Sequence, residues 1–196
     1  LVRRGVIPVT VALKVLWWGV RYKLHIQVEQ KVVRQYIFRS LSHFPAESAN
    51  QMMAELYLSE LEQNLRPKGL AEMQHRREQG DLIVVVSASF VPIIEAFAQD
   101  NPIDGFVCTH MEIKDGFYTG NVVGLPPEGE QKAVQLTAWA DAHFGQGAWV
   151  VTWAYGDHYS DAPLLEMAEN PVAVNPDTRL EKTAKTNGWQ ILDWSL

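Results

Sequence analysis

The spacing of hydrophobic and polar positions changes near residue 66. Before it, apolar residues recur every three or four positions. Val9, Leu13, Leu16, Trp17 and Val20 predict one helix, and Val28, Val32 and Tyr36 lie near one face of a second over Gln27–Leu41. Pro45 opens a third, which carries Met53, Leu56, Tyr57, Leu61 and Leu65 on one side. After residue 66, short apolar runs alternate with amphipathic stretches. A helix from Pro67 to Gln79 stops at Gly80. Leu82–Val86 and Trp149–Ala154 read as buried parallel strands, and Gly105–Thr109 and Val172–Val174 as shorter ones. Asp115-Gly116 between alternating residues predicts a hairpin. Helices are expected over Pro92–Gln99, Gln131–Phe144 and Pro176–Asn187, the last ending at Gly188. Strands alternating with helices predict an α/β fold: a three-layer, Rossmann-like parallel-sheet core over residues 67–196 with right-handed crossovers. Residues 1–66 then form a helical cap.

A chain of 196 residues suits one domain or a domain with an insert. The net charge of -6 gives no electrostatic footprint for nucleic acid. The one cysteine, Cys108, allows no intrachain disulfide and fits a reducing, cytoplasmic setting. The apolar run Val6–Val20 is broken by Pro8 and Lys14 and is too short to cross a bilayer, so no membrane partner is expected. The cap stretch holding Trp17, Trp18, Arg21, Tyr22, Lys23 and His25 is mixed in character, and core, rim and substrate contact all remain open for it.

The run Trp149–Tyr155 ends at Gly156, then Asp157 follows and Asp161 comes four residues later, before Pro163 in the first turn of a helix. This places Asp157 just past the carboxyl end of a strand, where open α/β sheets hold their ligands. Ser87 follows another apolar strand in the same way, and Lys132 stands at a helix start after a loop. Singly, each has a plain reading: Ser87 as a cap, Lys132 as a surface lysine, Asp157 and Asp161 as turn residues. Jointly, a hydroxyl, an ammonium and a carboxylate pair at one sheet edge suit a phosphate with a divalent cation. The first two hold phosphoryl oxygens, and carboxylates hold Mg2+.

These segments resemble the motifs of the haloacid dehalogenase superfamily. Val84-Val85-Val86-Ser87-Ala88-Ser89 is similar to its second motif, Gly129-Glu130-Gln131-Lys132 to its third, and Tyr155-Gly156-Asp157-His158-Tyr159-Ser160-Asp161 to its acidic fourth. Pro171–Asp177 followed by Gly188-Trp189 resembles the tail of the phosphoserine-phosphatase-like subfamily, and the helical stretch before Ser87 resembles its cap. The resemblance implies a Mg2+-dependent phosphatase of small phosphorylated metabolites. In it an aspartate takes up the phosphoryl group, and a second aspartate two residues on acts as general acid and base. Ser87 and Lys132 then bind the phosphoryl group, Asp157 binds Mg2+, and Asp161 supports it. His158 replaces the small residue common in the family.

The first motif of that family, an apolar strand ending in Asp-x-Asp, has no counterpart here. No aspartate precedes Asp81, and no Asp-x-Asp occurs anywhere in the sequence. The chain also starts at Leu1. Two expectations follow. Either this is part of a phosphatase whose first core strand and nucleophile lie outside it, or it is a non-catalytic protein that keeps a phosphate pocket. The first is preferred, because losing two carboxylates by substitution would leave a central strand in place, whereas losing the strand strips partners from its neighbours.

Overall fold

The computed structural model describes residues 38–195. The helices read over Val9–Val20 and most of Gln27–Leu41, with the mixed cap stretch from Trp17 to His25, lie outside the described residues. Contacts divide the chain into two compact units: the chain through Met53 with His110–Gly124, and Ala54–Thr109 with Leu125–Leu196.

In the first unit, helix α1 (Ala46–Leu56) starts directly after Pro45. The hairpin of strands β3 (Met111–Lys114) and β4 (Phe117–Val122) is antiparallel and turns at Asp115-Gly116, where Asp115 has φ of 53°. The expected boundary near residue 66 counted this hairpin with the core; it groups instead with the N-terminal unit. The reason is backbone pairing. His43 N–H donates to Tyr118 O (2.8 Å), Tyr118 N–H to Phe44 O (3.0 Å) and Ala46 N–H to Gly116 O (2.9 Å). The buried Tyr118 hydroxyl also meets Asn50 Oδ1.

The helical path after α1 does not stay α. Tyr57–Leu61 forms a π turn and Glu62–Asn64 a 3-10 turn. Tyr57 stays buried, edge-on to Phe97 with ring centroids 6.2 Å apart. Leu61, predicted on the same side, is exposed instead. A π turn adds a residue per turn and rotates every later side chain off the α stripe.

The second unit carries the α/β architecture. After helix α2 (Pro67–Glu78) come strand β1 (Val84–Phe90), helix α3 (Val91–Asp100) and strand β2 (Gly105–Thr109). Strands β1 and β2 pair in parallel, Val84 opposite Gly105 and Val86 opposite Val107. Helix α4 (Glu130–Phe144), strand β5 (Val151–Gly156), the short helix α5 (Ala162–Leu165), strand β6 (Ala168–Val174), helix α6 (Thr178–Asn187) and strand β7 (Gln190–Leu192) follow. Strands β5, β6 and β7 form a parallel sheet in that order. Strand β7 was not anticipated; three residues between Gly188 and the tail give too short a pattern to read. The fold is thus mixed α/β with parallel sheets, as the alternation predicted.

Packing is tightest around β6. Ala154, Leu165, Ala173, Leu180 and Ala184 form a buried cluster edged by Val151, Ala162, Ala168 and Trp189. On β5, Arg76 of α2 lies 4.2 Å over the Trp153 ring, and Tyr155 donates to Glu72 Oε1 at 2.5 Å. Burial, and then that carboxylate, push the Tyr155 phenol well above its ordinary range.

The two apolar runs expected to be wholly buried differ from expectation. Every residue of β1 is only partly buried, and β5 buries only Ala154. Leu82 and Val150, at their N-terminal ends, are more than half exposed. Among the described residues, β1 ladders on one side only, to β2, and β5 on one side only, to β6. Helix α4 packs on β1, β2 and α5.

Gly105 has no room for a side chain: an added Cβ would lie 2.2 Å from Trp139 Cζ2. To make room the indole would have to shift, disturbing its stacking on His143, whose ring centroid lies 4.2 Å away. Gly105→Ala should therefore lower stability by about 1–3 kcal/mol, the usual cost of overpacking a core. Urea unfolding checks this; an unchanged midpoint would show that β2 and α4 separate at little cost.

Candidate active site

The site is built on the turn that follows β5. Strand β5 ends at Gly156, and Tyr159–Asp161 forms a 3-10 turn leading into α5. Asp161 is buried, and its two carboxylate oxygens have separate duties. Oδ1 accepts from Lys132 Nζ at 2.5 Å. Oδ2 accepts the backbone N–H groups of Asp157 and His158, each at 3.1 Å. This close wrap depends on Gly156, where an added Cβ would lie 2.6 Å from Asp161 Cβ.

Lys132 reaches Asp161 from the first turn of α4, with its side chain 14% exposed. An ammonium has three N–H donors, so two remain after the bond to Asp161. The structure therefore joins Lys132, Asp161 and the backbone of Asp157 into one assembly, although they are 29 and 4 residues apart in the chain.

The Asp157 carboxylate is the open group of the set. Its side chain is 60% exposed, and its charged neighbour is the Arg66 guanidinium at 3.9 Å. It is thus available to a cation, whereas the buried Asp161 carboxylate is engaged on both oxygens. Among the described residues, no group of three or more His, Cys, Asp or Glu side chains could hold a metal ion. Asp157 alone still fits Mg2+, which keeps several waters and takes one or two carboxylates plus phosphate oxygens.

Ser87 does not follow the strand as expected: β1 continues to Phe90, and Ser87 lies inside it, where the register with β2 shifts between Val86 and Phe90. Its Oγ accepts the Ser89 N–H at 3.1 Å, which leaves the hydroxyl proton to donate to a ligand. Among the described residues, no hydrogen bond or ion pair joins Ser87 to Lys132 or Asp157. His158 caps the 3-10 turn: its Nδ1 accepts from Ser160 N–H at 3.3 Å, and its ring lies 4.3 Å from that of Tyr159. Its Nε2 faces Asp177 Oδ2 at 3.5 Å.

Two contributors escaped the sequence. Arg66 precedes Pro67 at the start of α2, and nothing in the local pattern aims it at Asp157. Asp177 reads as the cap of α6, and it is one, but it also touches the Asp157 turn. A signal existed for Asp177: it follows the carboxyl end of β6 as Asp157 follows that of the adjacent β5.

Comparisons with known proteins identify the family of the chain. A family model described as haloacid dehalogenase-like hydrolase matches residues 1–166. A protein of Neisseria meningitidis named histidinol-phosphatase is 34% identical over 76% of this chain and 66% of its own length. A protein of Mycobacterium tuberculosis named phosphoserine phosphatase is 31% identical over 63% of this chain and 39% of its own. The chain thus spans less than two thirds of these curated relatives. Among solved structures, a Bordetella pertussis protein of unknown function superposes with a TM-score of 0.76 at 27% identity, covering 90% of this chain and 79% of that one. A substrate-bound phosphoserine phosphatase superposes with a TM-score of 0.58 at 17% identity, covering 87% and 74%, a likeness of fold alone.

Removing either partner of the Lys132–Asp161 pair leaves a buried charge without compensation, which costs about 3–5 kcal/mol. Lys132→Met and Asp161→Asn should each destabilise on that scale, and the double variant should lose less than the sum. A double-mutant cycle by urea unfolding reads this. Simple additivity would show that the two side chains do not depend on each other.

Proposed function

The chain belongs to the haloacid dehalogenase-like hydrolase family, and from that premise we propose that its protein is a Mg2+-dependent hydrolase of small phosphomonoesters. The observation that carries this reading is the assembly after β5: a partly buried lysine pinned on Asp161, which in turn fixes the backbone beneath an open Asp157 carboxylate. A pinned cation beside an exposed carboxylate suits a phosphate dianion with its counter-cation better than it suits a neutral ligand. Phosphate esters of the phosphoserine or histidinol phosphate kind are the favoured substrates, since relatives carry those names.

In this proposal the two remaining N–H donors of Lys132 and the hydroxyl of Ser87 bind the phosphoryl oxygens. Holding Lys132 on Asp161 keeps its charge in place, so little reorganisation is needed as charge shifts in the transition state. Asp157 would hold Mg2+, which when bound would supply positive charge against the phosphoryl oxygens. The nucleophile is an aspartate on a strand lying between β1 and β5. Its oxygen bonds to phosphorus while the ester oxygen leaves, taking a proton from a second carboxylate. Water then cleaves the acyl phosphate and releases inorganic phosphate. Support for such a strand comes from the sheet edges: β1 and β5 each have an unladdered side among the described residues, and their apolar side chains are only partly covered. The sequence also holds no Asp-x-Asp pair of its own.

An aryl phosphate assay, with and without chelator, tests the proposal on the 196-residue chain and on a protein that includes a nucleophile-bearing strand. The short chain should be inert and the longer one active only with Mg2+. In the longer protein, Asp157→Asn should abolish most activity. Ser87→Ala should cost about 1–3 kcal/mol in transition-state stabilisation, the loss of one hydrogen-bond donor to a charged group. Turnover by the short chain would show that another of its carboxylates is the nucleophile, and an inert longer protein would favour phosphate binding without catalysis.

A further inference from the structure

We infer that Asp177 is a positioning residue for the cation-binding turn, fixing the backbone from which the Asp157 carboxylate projects. The inference rests on the cation role given to Asp157 above and extends it to a residue outside the motif. The cap of α6 uses one carboxylate oxygen: Asp177 Oδ1 accepts from Arg179 N–H at 2.9 Å and Leu180 N–H at 2.8 Å. Any good cap residue supplies that, and serine or asparagine caps about as well as aspartate. The second oxygen works elsewhere. Oδ2 accepts the Tyr159 N–H at 2.9 Å and faces His158 Nε2 at 3.5 Å. The Asp177 N–H also donates to Asp157 O at 2.8 Å.

Asp157 is thereby bracketed. Its N–H is held by Asp161 Oδ2, its carbonyl by Asp177 N–H, the next N–H by Asp161 again, and the Tyr159 N–H by Asp177. Arg179, the second residue of α6, closes the far side with its guanidinium 3.6 Å over the Tyr159 ring. Two aspartates thus hold the N–H and carbonyl of Asp157 and the next two N–H groups, while its carboxylate, 60% exposed, has the Arg66 guanidinium 3.9 Å away. Partners of this kind orient a ligand without touching the ion, and removing one lowers metal affinity by about 10–100-fold.

The test separates the cap from the clamp. Asp177→Ser retains a capping oxygen but has no second acceptor for Tyr159; Asp177→Asn retains Oδ1 and turns a donor toward that N–H. The protein that includes a nucleophile-bearing strand and both variants in it are titrated with Mn2+, followed by proton relaxation, and amide exchange is measured at His158 and Tyr159. The variants should melt within about 3 °C of the parent, since the cap persists. Their Mn2+ affinity should fall at least about tenfold, and both amides should exchange faster. Parent-like Mn2+ affinity in Asp177→Ser overturns the inference. So does a loss of affinity that comes only with a collapse in melting temperature, because Asp177 would then act through the fold alone. If Asp157→Asn binds Mn2+ as the parent does, the cation role of Asp157 fails and takes this inference with it. Parent-like binding in Asp177→Ser alone leaves that role standing.

Discussion

The ion pair between Lys132 and Asp161 joins parts of the chain that share no backbone ladder. Lys132 belongs to α4, which packs on β1 and β2, while Asp161 belongs to the turn after β5. Both side chains are largely out of water, and a buried pair of this kind is seldom a net source of stability, since desolvation offsets the Coulomb gain. What it provides is position. Asp161 has one oxygen for the lysine and one for two backbone amides, so the lysine and the Asp157 backbone are tied to the same carboxylate. Gly156 is the steric condition for this, because any side chain there would displace the carboxylate.

The burial of β1 and β5 reads differently in this light. Runs such as Val84-Val85-Val86 are the composition of strands covered on both faces and paired on both edges. Here they are partly exposed and paired on one edge among the described residues. The sheet around β6, with neighbours on both sides, reaches the dense packing such sequences allow. The contrast between β1 and β6 lies in neighbours rather than in residue type, since Val172, Ala173 and Val174 of β6 are no more apolar than the valines of β1.

The turn after β5 is further shaped by the neighbouring strand. β6 lies beside β5 in parallel, so the residues leaving the two strands emerge together. That adjacency brings Asp177 within hydrogen-bond reach of the backbone of Asp157 and Tyr159, across twenty residues of chain. His158 is absorbed into the same surface by Ser160, Tyr159 and Asp177.

Element types and their order were legible in the sequence, because they follow from local periodicity and from turn chemistry. Strand β2 matches its expected span, the hairpin turns at its Asp-Gly, and α6 stops at Gly188 in the left-handed conformation. Of the motif positions, Asp157 follows the end of β5 and Lys132 lies in the first turn of α4 as read, whereas β1 runs on through Ser87 to Phe90. Tertiary structure decided the rest. The π turn that exposes Leu61, the grouping of the hairpin with the N-terminal unit, the partial cover of β1 and the approach of Arg66 to Asp157 all depend on which segments become neighbours. So does the division of labour between the two aspartates of the turn. Four residues apart in one motif, they look alike in sequence. Lys132 and the two amides claim both oxygens of one and leave the other open, and only the folded chain brings those partners together.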